Sequence, residues 1–184
     1  PTKSSAASDV YKRQVLVMSF DLASELGLAD KAVFLRGFAE ASEQALLDRA
    51  ELSTSPALRW AYDNAVASSG LSVSDIEAFD LYSCFPVAVI EAMEALRIDT
   101  DDQRPTSLTG GLPFFGGPGN NYSMHGIASA VSAIQEGQCS HVLVGALGGH
   151  MSKHAVGVYS CTPGSGDWLS SEKAFEEAGN SVSL

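Results

Sequence analysis

A chain of 184 residues, 45% hydrophobic and 18% charged, has the apolar content for one folded unit. Its net charge of -11 works against nucleic acid or an anionic membrane as a partner, and no run is long and apolar enough to span a bilayer. The three cysteines, Cys84, Cys139 and Cys161, are an odd number without metal-ligand spacing, which points to a reducing, cytoplasmic setting rather than a disulfide framework.

The ends read differently from the middle. Residues 1–14 have no hydrophobic period and no signal-peptide pattern, and the run from Ser8 to Gln14 resembles translated adapter sequence, so this tail is set apart as non-native or disordered. Residues 15–160 carry the folding signals. Residues 161–184 turn to Gly, Ser and acidic residues and read as a truncated, partly disordered extension. Taken in chain order, Val15–Met18 is expected to be a short strand. Asp21–Leu26 follows as a helix, with Ser19 as cap and Gly27 as stop. Ala32–Phe38 is an apolar strand, and Ala39–Ser53 carries no assignable pattern. Thr54 or Ser55 caps a helix with Pro56 early in it, Leu58, Tyr62, Ala65 and Val66 on one face, and Gly70 at its end. Ser72–Asp75 is a turn, Ile76–Tyr82 a strand and Pro86–Ile98 a helix with apolar Val87, Val89, Ile90, Met93 and Leu96. A Gly-, Pro- and Asn-rich loop from Asp99 to Tyr122 leads into a helix reaching Gln135, with Ile127, Val131 and Ile134 on one side and Gly137 as its stop. Two strands, His141–Leu147 and Met151–Tyr159, complete an α/β pattern: a layered domain with a mixed sheet of about five strands and helices.

Three constellations carry chemistry. Asp80-Leu-Tyr-Ser-Cys-Phe-Pro86 puts Cys84 where a strand stops and a helix begins. Helix amides without partners favour a thiolate over a thiol nearby, which makes Cys84 a candidate nucleophile or proton-transfer group; the alternative is a small buried hydrophobe. The loop Thr109–His125 is the second, with Gly110, Gly111, Gly116, Gly117 and Gly119 allowing positive φ and close backbone approach ahead of a helix start. Such a strip suits an oxyanion or thioester carbonyl. A phosphate cradle fits less well, because neither Gly-Lys-Ser/Thr nor G-x-G-x-x-G is present, and the remaining alternative is a loop that merely needs turns. The third is the stretch from Gly145 to Tyr159, where Gly148 and Gly149 break two strands. His150 and His154 lie there at an even offset without the further ligands a metal site requires, and His154 reads as a satisfied core or rim residue.

Together these segments resemble the thiolases, and within them the thiolase-like, sterol carrier protein-linked branch, from about Val15 to Tyr159. The resemblance covers the C-terminal half of a thiolase core. The run Asp80-Leu-Tyr-Ser-Cys-Phe85 occupies the place of the N-E-A-F motif and is similar to its H-D-C-F variant. Gly110–Pro118 occupies the place of the G-H-P loop, and Ala146-Leu-Gly-Gly149 that of C-x-G. The resemblance implies an acetyl-CoA acetyltransferase-like activity on acyl-CoA, with coenzyme A thioester as substrate and no separate cofactor. Its implied partners are the N-terminal half that carries the acyl-accepting cysteine and a further subunit of a homo- or hetero-oligomer. It implies Cys84 as acid/base group and His125 as the donor replacing the loop histidine, whose place falls on Gly117. Gly110, Gly111, Gly116, Gly117, Asn120, Gly148 and Gly149 become candidate substrate-binding residues. Ala146 departs from the family pattern, because a methyl group moves no proton. Three readings follow: part of an acyltransferase, a degenerate domain that binds acyl-CoA without turnover, or a half-domain that pairs with another.

Overall fold

The computed structural model describes residues 14–49, 51–115 and 118–165. The expected tail up to Arg13, the extension beyond Ser165, Gly116 and Gly117 lie outside the described residues. The fold is an α/β layered fold. Helix α1 (Phe20–Glu25) begins at Ser19, whose side chain accepts from the Leu22 amide. Strand β1 (Phe34–Ser42) leads to helix α2 (Pro56–Ser69), which Ser55 caps by accepting from Leu58 N and Gly70 closes at φ 69°. Strand β2 (Ala78–Asp80) is followed by helix α3 (Pro86–Leu96), closed by Arg97 in the left-handed region. Two short 3-10 turns, Leu112–Phe114 and Gly119–Asn121, run into helix α4 (Tyr122–Gln135). Strands β3 (His141–Gly148) and β4 (Lys153–Ser160) complete the order.

The sheet runs β1-β4-β3-β2, with β2 and β3 parallel and the other pairs antiparallel. Side chains alternate across it. Phe79, Leu143, Val156 and Val158 face α2 and α3, where Leu58, Tyr62, Ala65, Val66, Met93 and Leu96 fill the larger core. Ala78, Val142 and Val144 face Ala130 and Ile134 of α4. The result is three layers, helix on sheet on helix. Gly37 sets the spacing of one interface: a Cβ there would lie 2.6 Å from the Ser69 Cβ and collide with the Ala65 carbonyl.

Four strands form among the described residues, against the five expected. Val15–Met18 is not a strand, and Leu16 and Val17 are exposed. Strand β2 is shorter than Ile76–Tyr82 because its parallel register with β3 covers only Ala78–Asp80. Beyond it the outer edge turns to the returning loop: Phe79 N donates to Pro105 O at 2.8 Å and Leu81 N to Thr106 O at 3.0 Å. Pro105 has no N–H to return, so the loop covers the edge without becoming a strand. Arg104 secures that loop, donating to the carbonyls of Val73 and Ile76, pairing with Asp102 at 2.6 Å, and stacking over Phe79. Strand β1, by contrast, runs on through Ala39–Ser42, because Ala39 and Ala41 pair with Val156 and His154. On α3 the buried face is Ala88, Ala92, Met93, Ala95 and Leu96, while Val87 and Ile90 are exposed. Alanines, silent as apolar markers, carry the contact. Among the described residues no helix is long and apolar enough to cross a membrane.

Gly37→Ala is expected to destabilise the chain by about 1–3 kcal/mol through overpacking against α2. An unchanged urea midpoint would show that β1 and α2 are not held as described.

Candidate functional site

The parallel pair β2–β3 ends, at its C-terminal side, in an open cleft of about 650 Å³. Tyr82, Asn120, Ser123, Ala146, Gly148 and His154 are among its lining residues. Crevices at the carboxyl ends of strands are where open α/β sheets bind ligands, because the chain leaves the sheet there and loops gather. Of the residues singled out in the sequence, Asn120 and Gly148 lie in this wall, and Ala146 stands beside them.

Cys84 sits in the link between β2 and α3, partly exposed, two residues beyond Tyr82. The first turn of α3 has no side-chain cap: Phe85 is its N-cap and Pro86 its first residue. Tyr82 packs edge-on against Tyr122, with ring centroids 5.4 Å apart. Burial raises the Tyr82 hydroxyl above its ordinary range, and the neighbouring Cys84 and Tyr122 add to that.

The glycine-rich loop is held by a residue that the sequence showed only as a charge interrupting a strand. Asp80, 1% exposed, accepts on Oδ2 from Leu108 N at 2.8 Å, Thr109 N at 2.9 Å and the Thr109 hydroxyl at 3.0 Å. Its Oδ1 has no hydrogen-bond partner and lies against α4, where Gly126 leaves it room; a Cβ there would be 2.9 Å away. Burial raises the carboxyl above the ordinary aspartate range, and the bonds from Thr109, Leu108 and Ser107 pull the other way. From this anchor the loop turns through Gly110 and Gly111, at φ 84° and 94°. Leu112 N then donates to Ser83 Oγ at 2.8 Å. Gly111 lies close enough to Ser83 that a Cβ would stand 3.6 Å from its Oγ. The thiol-bearing link and the loop are therefore neighbours, joined one residue from Cys84.

His125 lies on the first turns of α4 and is fully buried, its ring edge-on to Phe115 at 4.6 Å. It is not part of the cleft wall. Gly149, at φ 62°, belongs to the exposed β3–β4 turn. His154, 3% exposed, reaches the cleft from the opposite face of the sheet. Its Nε2 is 3.2 Å from Ser55 Oγ, and Ser55 donates to Glu43 Oε1 at 2.6 Å. His154 is thus tied to the α2 cap. Burial lowers its basicity below the ordinary imidazole range, against the opposing influence of the Met151 backbone and Glu43. Among the described residues no group of three His, Cys, Asp or Glu side chains could hold a metal ion.

The sequence signals for Cys84 and the glycines were local. Those for Asp80, Tyr82 and Tyr122 were not, since a single polar residue in a strand and two tyrosines carry no spacing that marks a site.

No protein-family model and no curated protein matches the chain. Among solved structures, it is similar to a monomeric SCP2-thiolase-like protein type 1 from Mycobacterium smegmatis, at 45% identity and a TM-score of 0.81. The match covers 88% of this chain and 36% of that one, so the chain spans little more than a third of that protein's length. The fold is thiolase-like.

Asp80→Ala strips the acceptor from three well-placed donors and is expected to cost about 3 kcal/mol, read as a lower urea midpoint with faster hydrogen exchange at Leu108 and Thr109. His154 supplies a pH signature. The folded state disfavours its protonation, so the unfolded chain binds the extra proton as pH falls below about 6.5 and stability declines through that window. The stability difference between wild type and His154→Gln should shrink on going from pH 7.5 to pH 5.5, values chosen to bracket the imidazole range of about 6.5. A difference constant across that window would remove His154 from the linkage.

Proposed function

We propose that this chain is the C-terminal part of a thiolase-like, acetyl-CoA acetyltransferase-like protein that acts on acyl-CoA thioesters, by thiolysis or Claisen condensation. In this reading Cys84 is the acid/base group that exchanges the α-proton of the acyl-CoA. Backbone amides of the glycine-rich loop, at Gly110, Gly111 and Gly119, face the thioester oxygen, which becomes an enolate oxygen as the proton leaves. Hydrogen bonds aimed at that developing charge are worth roughly 3 kcal/mol each. Asn120 and Gly148, with the nearby Gly149, shape the cleft for the substrate. The acyl group itself is carried by a nucleophilic cysteine in the N-terminal half, which this chain does not encode. His125 is the further donor in this scheme; its ring packs edge-on against Phe115.

The observation that carries the reading is the direct bond from Leu112 N to Ser83 Oγ. It sets the Cys84 link against the glycine-rich loop, beside a cleft at the ends of the parallel strands. A second reading, acyl-CoA binding or a partner-subunit role without turnover, is favoured by Ala146. Its methyl group stands in the cleft wall at the place the family resemblance gives to a proton-moving thiol.

The two readings separate in the longer parent protein. Thiolysis of a 3-oxoacyl-CoA by coenzyme A is expected to fall by at least about 100-fold in Cys84→Ser, in line with loss of a general acid/base. Turnover equal in wild type and variant would take Cys84 out of the mechanism, while binding without turnover in either would favour the second reading. The 184-residue chain alone is expected to transfer no acyl group.

A further inference from the structure

Four polar side chains form a continuous line between the buried carboxylate and the thiol-bearing link. The Thr109 hydroxyl meets Asp80 Oδ2 at 3.0 Å, Tyr122 Oη meets Thr109 Oγ1 at 2.7 Å, and Ser83 Oγ meets Tyr122 Oη at 3.2 Å. Each hydroxyl has one proton to give, so one fixed end sets the direction of every bond. That end is Asp80. Its Oδ2 already receives the Leu108 and Thr109 amides and has no room for a proton of its own, whichever charge state the carboxyl adopts. Thr109 must therefore donate to Asp80. Tyr122 must then donate to Thr109, and Ser83 to Tyr122. Ser83 Oγ is left as an acceptor, and it takes the Leu112 amide at 2.8 Å. The polarity closes without conflict.

Tyr122 is the middle of this line. It is fully buried, held edge-on by Tyr82 at 5.4 Å and by Phe115 at 5.9 Å. Its phenol joins the anchored end of the loop (Thr109) to the link that bears Cys84 (through Ser83). We propose that Tyr122 is a positioning residue: its hydroxyl holds Ser83, and with it Cys84, in register with the loop amide of Leu112. The inference deepens the acyl-thioester reading given above, and it concerns geometry that can be measured without turnover.

The test uses the full chain and its three thiols. Iodoacetamide labelling of Cys84, Cys139 and Cys161 is followed by peptide mass spectrometry. Cys139 lies on the α4–β3 turn, away from the hydroxyl line, and reports any general loosening. Tyr122→Phe keeps the ring and removes only the phenol oxygen; it is expected to raise the Cys84 rate relative to Cys139 about fivefold, the effect of one hydrogen bond. Ser83→Ala should do the same, and Ser83→Thr, which keeps a hydroxyl, should restore the wild-type ratio. An unchanged ratio in Tyr122→Phe, or a rise shared equally by Cys139, would overturn the proposal. In the parent protein the corresponding expectation is a lower kcat at unchanged KM. Absence of turnover there counts against the acyltransferase reading, whereas the labelling ratio decides the role of Tyr122 by itself.

Discussion

A buried carboxylate that must find donors organises this half of the molecule. Asp80 ends the short parallel strand β2 on the face covered by α4. Taking its charge out of water is unfavourable unless hydrogen bonds compensate, and the nearest suppliers are the backbone amides of the returning loop. Once Leu108 and Thr109 are drawn onto Oδ2, the loop has a fixed origin. Its left-handed turns at Gly110 and Gly111 then deliver Leu112 to Ser83. Helix α4 approaches closely because position 126 is glycine. One carboxylate thus sets the loop and the thiol link through Oδ2, and lies against α4 through Oδ1.

The opposite face of the sheet has its own polar anchor. His154 on β4 meets Ser55, the cap of α2, and Ser55 in turn meets Glu43 just beyond β1. The two anchors lie on the two sides of the sheet, Asp80 facing α4 and His154 facing the start of α2. Each ties a helix start or a loop to a strand end, where main-chain groups would otherwise lack partners. Hydrophobic burial holds the layers together, but these polar groups fix how the loops leave them. A cleft built this way has walls of defined geometry even though no single element contributes more than a few residues to it.

Ala146 and Cys84 bear on the chemistry in opposite senses. The first places an inert methyl group in the cleft wall; the second places a thiol at the uncapped start of α3, beside the glycine-rich loop. In the acyltransferase reading proposed above, the position of this single sulfur relative to the loop amides is the decisive variable. The line of hydroxyls through Tyr122 bears on that variable directly.

Helix ends, the face of α2 and the existence of β3 and β4 were legible from the sequence, because caps, stops and apolar periods act over a few residues. Ser19, Ser55, Gly70 and Gly137 mark their boundaries by local backbone needs alone. The chain by itself also placed Cys84 in the link between β2 and α3, and Gly110 and Gly111 at left-handed turns. Tertiary structure alone decided the rest. Three alanines join Met93 and Leu96 on the inner face of α3 while Val87 and Ile90 stay exposed, because the neighbouring elements, not side-chain type, select the face. Pro105 and Thr106 cover the outer edge of β2 from within the loop, and β2 stops short of the expected Ile76–Tyr82 because its register with β3 ends at Asp80. Asp80 became an anchor only when the fold brought Leu108, 28 residues further on, within 2.8 Å; a buried charge is defined by its partners, and no local pattern names partners that far along the chain.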